Sequence, residues 1–409
     1  MNKLFISVVA MLFAASLSFA QNANTVTSNG SNNQVNVSQT AGNGAKNNNA
    51  VVTQTGDNNV ASQTQFQEAG ITAPQNVTIN QSGNSNTATQ LQGFSYTGYN
   101  AATISQLSNS NIGFQKQDGY NMTANISQSV GDGNNASQTQ EGSHQTGSIT
   151  QVGTANSGIQ NQNGLNNSTS ILSTGNNNYA SQVQVGGTWN SPPTYLSGHT
   201  AIVNQNGSGN VSYQTQNGVQ ANYAMTVQNG NSNYENISQV GSSNGAGYWK
   251  SQNVPTVDQE GNANFASFSQ LGNSNNEEML QNGNSNTAIL EQTGNNGFGY
   301  MEQKWNNASN NYAKVTSNGD YNQHYTVQTY GDGNVINTLQ TGSNDISFTG
   351  QYINNNSWAE TIQTGDGNNS NIIQSQGNGN WAMTQQLSNL NTSAVTQTGN
   401  GNVANIIQH

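Results

Sequence analysis

Along most of this 409-residue chain the positions that repeat fall on one parity, and the positions that vary fall on the other. In Asn286, Ala288, Leu290, Gln292, and again in Asn402, Ala404, Ile406, Gln408, the order is amide, small residue, aliphatic, amide. Alternate residues of a strand face the same side, so the repeated set predicts a β-strand whose constant face points inward. Thr287, Ile289 and Glu291, like Val403, Asn405 and Ile407, take the outward face. The period of two, the β-branched residues and the frequent glycine disfavour a helix. The strand recurs at a fixed interval. Gln259, Gln270, Gln281, Gln292 and Gln303 lie eleven residues apart, and Gln328, Gln340, Gln351, Gln363, Gln374, Gln385, Gln397 and Gln408 follow at eleven or twelve. A short fixed period means one small unit copied along an axis, each copy stabilised mainly by its neighbours.

Written out, the unit is Gln-x-Gly-x-x-Asn-x-small-x-aliphatic-x-Gln, as in Gln54 to Gln65, Gln281 to Gln292 and Gln397 to Gln408. Gly-x-x-Asn is turn chemistry, because these residues tolerate positive φ. Two arms make 22 to 23 residues, the distance from Gln128 to Gln151 or from Gln205 to Gln228. The predicted fold is all-β: a β-solenoid of stacked strand-turn-strand repeats, amyloid-like cross-β, with coils ~4.8 Å apart. Its inward amides are expected to form ladders, each side chain donating to one neighbouring coil and accepting from the other. The residues assigned to them are Gln54, Asn59, Gln81, Asn86, Gln128, Asn134, Gln205, Asn210, Gln259, Asn264, Gln270, Gln281, Asn286, Gln292, Gln328, Asn334, Gln340, Gln374, Gln397, Asn402 and Gln408.

Composition narrows the alternatives. With 31% hydrophobic residues an ordinary oily core cannot offset chain entropy, and with 6% charged residues and only 4 Pro beside 45 Gly, charge-driven disorder is disfavoured. Order must come from satisfying amides. The formal charge is −11, arginine is absent, and Lys46, Lys116, Lys250, Lys304 and Lys314 are scattered, so no basic stripe offers itself to nucleic acid. Residues 1–20 read as a secretory signal: Lys3, an apolar run from Leu4 to Leu17, then Ser18-Phe19-Ala20 with cleavage between Ala20 and Gln21. The run falls short of the ~20 residues that span a bilayer. Cysteine is absent, which removes disulfides and thiol chemistry.

The repeat resembles that of the curlin family, the secreted subunits of curli fibres. The family pattern Ser-x5-Gln-x-Gly-x-Gly-Asn-x-Ala-x-Val-x-Gln is matched by Ser127-Gln128 followed by Gly131-Asp132-Gly133-Asn134-Asn135-Ala136-Ser137-Gln138-Thr139-Gln140, and the similarity spans most of residues 35–408. This chain carries more repeats than the best-known members and several irregular stretches. The resemblance implies a structural subunit that self-assembles into extracellular amyloid fibres on the cell surface, for biofilm matrix, adhesion and aggregation. It also implies an outer-membrane secretion pore, periplasmic chaperones and a nucleating subunit as partners. Residues 21–34 then correspond to a polar N-terminal leader addressing the export pore, and residues 35–409 to the repeat solenoid.

Irregularities are expected at 66–74 and 186–200, where Pro74, Pro192 and Pro193 cannot join a hydrogen-bond ladder, and near Pro255, where Gln252 and Gln259 stand only seven apart. Glu235 and Glu277 fall in the small inward slot, at a cost unless the arm opens or water enters. Chemistry for catalysis is lacking. His144, His199, His324 and His409 are far apart, acids are dispersed, and the Gly-Asp-Gly-Asn copies at Gly131, Gly331 and Gly365 read as turns rather than calcium loops. No enzyme, metal or cofactor is expected. Outward Tyr213, Phe265, Phe268, Tyr325, Trp358 and Trp381 either stack along the face or meet polysaccharide or other surfaces. The motif runs to Gln408 without a polar cap, leaving an edge that another copy can extend. The alternative is a monomeric β-solenoid adhesin, or an ice- or carbohydrate-binding protein, which requires a regular Thr-x-Thr outer column. The sequence shows none.

Overall fold

A computed structural model describes residues 22–42, 48–68, 73–93, 98–186, 198–218, 221–245, 256–304 and 308–409. The signal segment 1–20 and the Ala20–Gln21 junction lie outside the described residues. The chain divides into two compact units, Met1–Ser197 and Gly198–His409. Both are parallel β-solenoids in which successive strands alternate between two sheets, so that one coil contributes one strand to each.

In the first unit one sheet stacks Ala23–Asn29, Asn49–Thr55, Asn76–Ser82, Ala101–Gln106, Thr123–Ser129, Thr146–Val152 and Ser168–Asn176. The other stacks Gln34–Ala41, Val60–Gln67, Thr87–Gln92, Ile112–Tyr120, Asn135–Ser143, Ser157–Leu165 and Tyr179–Gly186. In the second unit the first sheet runs through Thr200–Ser208, Tyr223–Asn229, Val257–Glu260, Asn276–Asn282, Phe298–Lys304, Gln323–Thr329, Ile346–Asn355, Asn369–Asn378 and Thr392–Thr398. Its partner sheet runs through Val211–Gly218, Tyr234–Val240, Phe265–Leu271, Thr287–Thr293, Tyr312–Asn318, Val335–Thr341, Trp358–Thr364, Trp381–Gln386 and Val403–Gln408.

Register is exact from coil to coil, with Gln128 opposite Gln151 and Ile126 opposite Ile149. Burial follows parity, as the strand Thr87–Gln92 shows by alternating half-buried and buried residues throughout. The interior therefore consists of columns of like residues. In the first unit Ala50, Val77 and Ala102 pack together with Val37. In the second, Ile237, Phe268, Met279, Leu290, Met301 and Val315 belong to one apolar cluster, and Ile336, Ile372 and Val395 to another.

Most turns use the glycine of the repeat in a conformation that other residues rarely adopt. Gly142 has φ +121°, and a Cβ there would stand 2.0 Å from the carbonyl oxygen of Gly164 in the next coil. Glycine lets successive turns stack at strand spacing. Where the motif carries a second glycine, the constraint is milder: Gly133 has φ +72° and open space around it.

Coil length varies more than the repeat suggests. Stacked glutamines are 22 to 27 residues apart in the first unit and 22 to 31 in the second. The longest interval, Gln228 to Gln259, precedes the four-residue strand Val257–Glu260, so the coil near Pro255 is distorted, although Gln252 and Pro255 themselves lie outside the described residues. Two boundaries shift. The expected leader 21–34 contains the strand Ala23–Asn29, paired along its length with Asn49–Thr55, because Gly30 and Asn33 keep the turn signature while Ser28 replaces glutamine. The irregular stretch 66–74 begins later than expected, since Phe66 and Gln67 still belong to a strand and Gln67 Nε2 donates to Ala73 O at 2.7 Å. Of 186–200, Gly186 ends one strand and Thr200 begins another, while residues 187–197 lie outside the described residues.

Replacing Gly142 by Ala is expected to destabilise the chain by about 3 kcal/mol or more, from positive φ and overpacking together. Gly133→Ala should cost only about 1–2 kcal/mol. Guanidinium unfolding midpoints of the two variants check the difference.

Candidate functional site

The glutamines of the repeat form continuous columns. In the first unit Gln54, Gln81, Gln106, Gln128 and Gln151 are joined by Nε2 to Oε1 bonds of 2.8–2.9 Å. In the second, Gln205, Gln228, Gln259, Gln281, Gln303, Gln328, Gln351, Gln374 and Gln397 are joined at 2.8–3.0 Å. From Gln54 to Gln151 and from Gln228 to Gln397 each amide also donates its other N–H to a main-chain carbonyl of the facing arm, as Gln374 Nε2 does to Trp358 O at 3.0 Å. That second bond fixes which amide atom is nitrogen. Every bond in these columns consequently runs the same way, from the nitrogen of one coil to the oxygen of the next coil in sequence. The facing sheet repeats the pattern through Gln216, Gln239 and Gln270, then through Gln340, Gln363, Gln386 and Gln408. Here the inward residue is Gln386, and the Gln385 expected from spacing faces outward.

The asparagines also stack in buried columns, but most of their bonds go to the backbone of the next coil. Asn59 Nδ2 donates to Gly83 O at 2.8 Å, while Asn59 Oδ1 accepts the backbone N–H of Asn86 at 3.0 Å. Asn134, Asn210, Asn264, Asn286 and Asn334 likewise donate to main-chain carbonyls in the following turn. The shorter side chain meets backbone, so it satisfies turn groups that the sheet ladders leave over. In the outermost described coil, Asn402 instead donates to Asn380 Oδ1 and Thr398 O. His199 takes an asparagine position, accepting the N–H of Asn222 at its Nδ1 and placing Nε2 3.2 Å from Gly218 O. Aspartates of the Gly-Asp-Gly motif accept turn N–H groups from the preceding coil, Asn109 onto Asp132 and Ser309 onto Asp332, which identifies those loops as turns.

A further column was missed in the sequence. Gln63, Gln90, Gln115, Gln138, Gln160 and Gln182 occupy the slot assigned to aliphatics and are bonded at 2.8–3.0 Å, beside the column Gln39, Gln65, Gln92, Gln117, Gln140, Gln162, Gln184. The signal was the Gln-x-Gln pair recurring in every second arm, from Gln63-Thr64-Gln65 to Gln182-Val183-Gln184.

The columns also break. Gln292 is buried and in register, yet it makes no bond to Gln270; its amide swings toward Gly297, where a Cβ would collide with it at 1.1 Å, and Ser317 stands next in its column. Near this break lie buried carboxyls. Glu277 lines up with Gly299 and then His324 in one inward column, and with no side chain on Gly299 the imidazole reaches past it, Nε2 lying 3.3 Å from Glu277 Oε1. Burial pushes Glu277 up, opposed by the imidazole. Glu235 sits between Ser212 and Ala266, with Ser212 Oγ donating to Oε2 at 2.5 Å, and burial pushes its carboxyl up to about 8. The arms do not open around these acids. Small neighbours supply the room, and for Glu235 burial favours the neutral form. Asp345 takes an asparagine position; burial raises it to about 6, and its Oδ2 stands without a partner where an amide would donate.

The outer faces stack. Tyr234 lies on Phe265 with centroids 5.1 Å apart, and Trp358 on Trp381 at 5.1 Å, both nearly parallel. Tyr325 tilts against Phe298 at 5.5 Å. Phe268, expected outward, is buried, because its parity is that of Ala266 and Gln270. Among the described residues no cluster of metal-ligating side chains occurs and no helix is long and apolar enough to cross a membrane. No family model matches the chain, and no curated protein matches it. The stacked, buried glutamine and asparagine columns of a β-solenoid are consistent with curlin-like repeats.

Two measurements probe the columns. Gln374→Ala removes three bonds, strands the amides of Gln351 and Gln397, and should cost about 2–4 kcal/mol, whereas outward Ser375→Ala should stay within about 0.5 kcal/mol in denaturant titrations. For Glu235 the folded pKa is the higher one, so the folded chain binds more protons than the unfolded chain between the two values. Stability should therefore fall as pH rises from about 4.5 to about 8, and Glu235→Gln should flatten that part of the slope.

Proposed function

We propose that the chain is a secreted structural subunit that polymerises end to end into extracellular, curli-like amyloid fibres, serving matrix, adhesion and aggregation. The observation that supports this most is the uniform sense of the amide columns. An outermost coil at the late end offers nitrogen donors, as at Gln397 and Gln408, and one at the early end offers oxygen acceptors, as at Gln39. The two kinds of edge complement each other, while like edges would set donor against donor. Pairing between copies then repeats the pairing between coils. Apolar positions agree with this, since Ile406 would meet the slot of Val37.

On this reading the partners are other copies, a nucleating subunit, an outer-membrane pore and periplasmic chaperones, with the segment 1–20 removed at Ala20–Gln21. Outward columns change character from coil to coil and the aromatics are spent largely on one another, which speaks against a regular ice- or sugar-binding face.

The test is refolding of the chain from denaturant with thioflavin fluorescence, with and without preformed seeds. Seeds should abolish the lag, and Gln397→Ala with Gln408→Ala should slow elongation about fivefold or more, well beyond Thr398→Ala with Ile407→Ala. A lasting monomer at micromolar concentration that ignores seeds would overturn the fibre reading in favour of a monomeric binding solenoid.

A further inference from the structure

One of the turn positions otherwise held by asparagine carries an acid. Asp345 stands in the column between Asn322 and Asn368: its N–H donates to Asn322 Oδ1 at 2.9 Å, and its own Oδ1 accepts the N–H of Asn368 at 2.9 Å. The accepting half of the amide's role is thus kept. The donating half belongs to the nitrogen. Asn322 Nδ2 donates to Gly342 O at 2.8 Å, whereas the corresponding atom of Asp345 is an oxygen, Oδ2, buried and without a hydrogen-bond partner.

That oxygen has the surroundings of the amide nitrogen. A Cβ built on Gly319 would touch Gly342 O and lie 3.3 Å from Asn322 Nδ2, and one built on Gly342 would touch Gly365 O and lie 3.2 Å from Asp345 Oδ2. Oδ2 therefore faces Gly365 O as Nδ2 faces Gly342 O. Two bare oxygens repel there. A proton on Oδ2 restores the donor, since a neutral carboxyl, like a carboxamide, pairs one donating group with one accepting oxygen.

No counter-charge stands by. Among the described residues no cation pairs with Asp345. Asp320 in the preceding turn and Asp366 in the following one are also acids, the facing arms contribute the uncharged Gln340 and Gln363, and His324 on the neighbouring strand is turned to Glu277. Burial raises the carboxyl to about 6; the hydrogen bonds from Asn368 oppose the rise and Asp366 adds to it.

We propose that Asp345 is a proton-operated joint of the second unit: neutral, it stands in for asparagine and donates to Gly365 O, and ionised, it sets oxygen against oxygen and loosens the coil there. The buried carboxyls Glu235, Glu277, Glu302 and Asp345 all lie in this unit, and among the described residues the first unit buries none, so the response is confined to the second. It is independent of fibre formation and needs only the folded second unit. The folded carboxyl keeps its proton to higher pH than the unfolded one, so its contribution to stability is complete below 3.8 and is lost as pH rises to about 6.

The experiment compares hydrogen exchange of the full soluble chain with that of Asp345→Asn, by mass spectrometry of peptides covering residues 335–368, at matched pH from about 4 to about 8 so that intrinsic exchange rates cancel. The two should exchange alike at about pH 4, and at about pH 7 the variant should exchange about tenfold or more slowly. Peptides of the first unit should show no gap at any pH, and Asp132→Asn, at an exposed turn aspartate, should show none either. Equal exchange at about pH 7, a gap of one size across the whole range, faster exchange in Asp345→Asn, or a like gap for Asp132→Asn would each overturn the proposal.

Discussion

A carboxamide that donates to one neighbour and accepts from the other is the interaction on which the rest of this structure depends. Burying an amide alone is costly, and burying a column of them is not, because every rung satisfies the next. The requirement is strict in-register stacking. Each coil must place glutamine at the same height and on the same parity, which in turn demands turns of constant geometry, and glycine at the one position where stacked turns nearly touch. Net stabilisation per bond is about 1 kcal/mol, so the columns matter less for their sum than for what a misplaced rung would forfeit. They specify the register of a fold whose apolar content is modest.

That logic also explains where the interior changes. In the first unit the slot beside the terminal glutamine is itself glutamine, Gln63 to Gln182. In the second it becomes Ile237, Phe268 and Leu290, and later Thr338, Thr361 and Thr384. A column can change identity provided its neighbours on the rung compensate in volume and hydrogen bonding. The region from Glu277 to His324 is where compensation is most strained: Gln292 leaves its column, Gly299 clears a path, and an imidazole spans two coil spacings to meet a carboxyl.

Much of this was legible in the chain itself. Strand parity, the Gly-x-x-Asn turn and the eleven-residue beat are constraints repeated so often that a single consistent stacking satisfies them all. What was not legible follows from details that periodicity does not encode. Asparagine shares the parity of glutamine, yet its side chain is one methylene shorter, so it bonds mainly to turn backbone and only in places to its own kind. Gln385 and Gln386 are adjacent, and spacing alone picked the outward one. Phe268 looks like a surface aromatic until its parity with Gln270 is counted. His324 and Glu277 stand 47 residues apart, and no local rule joins them; only the stacking of coils does. Ser28, where glutamine belongs, hid the strand Ala23–Asn29 within residues 21–34.

The one-way sense of the columns has a further electrical consequence within each unit. Main-chain bonds between coils alternate in direction, Gln34 N–H pointing to the later Asn59 carbonyl and Asn58 N–H to the earlier Ser31 carbonyl, so their dipoles largely cancel, as in any sheet. The glutamine side chains do not alternate. Their dipoles add along the axis as peptide dipoles add along a helix, giving a partial positive charge where the nitrogens emerge and a partial negative charge at the opposite face. A nearly uncharged interior thus behaves as a stack of small aligned magnets would, with a head and a tail that an approaching ion can tell apart.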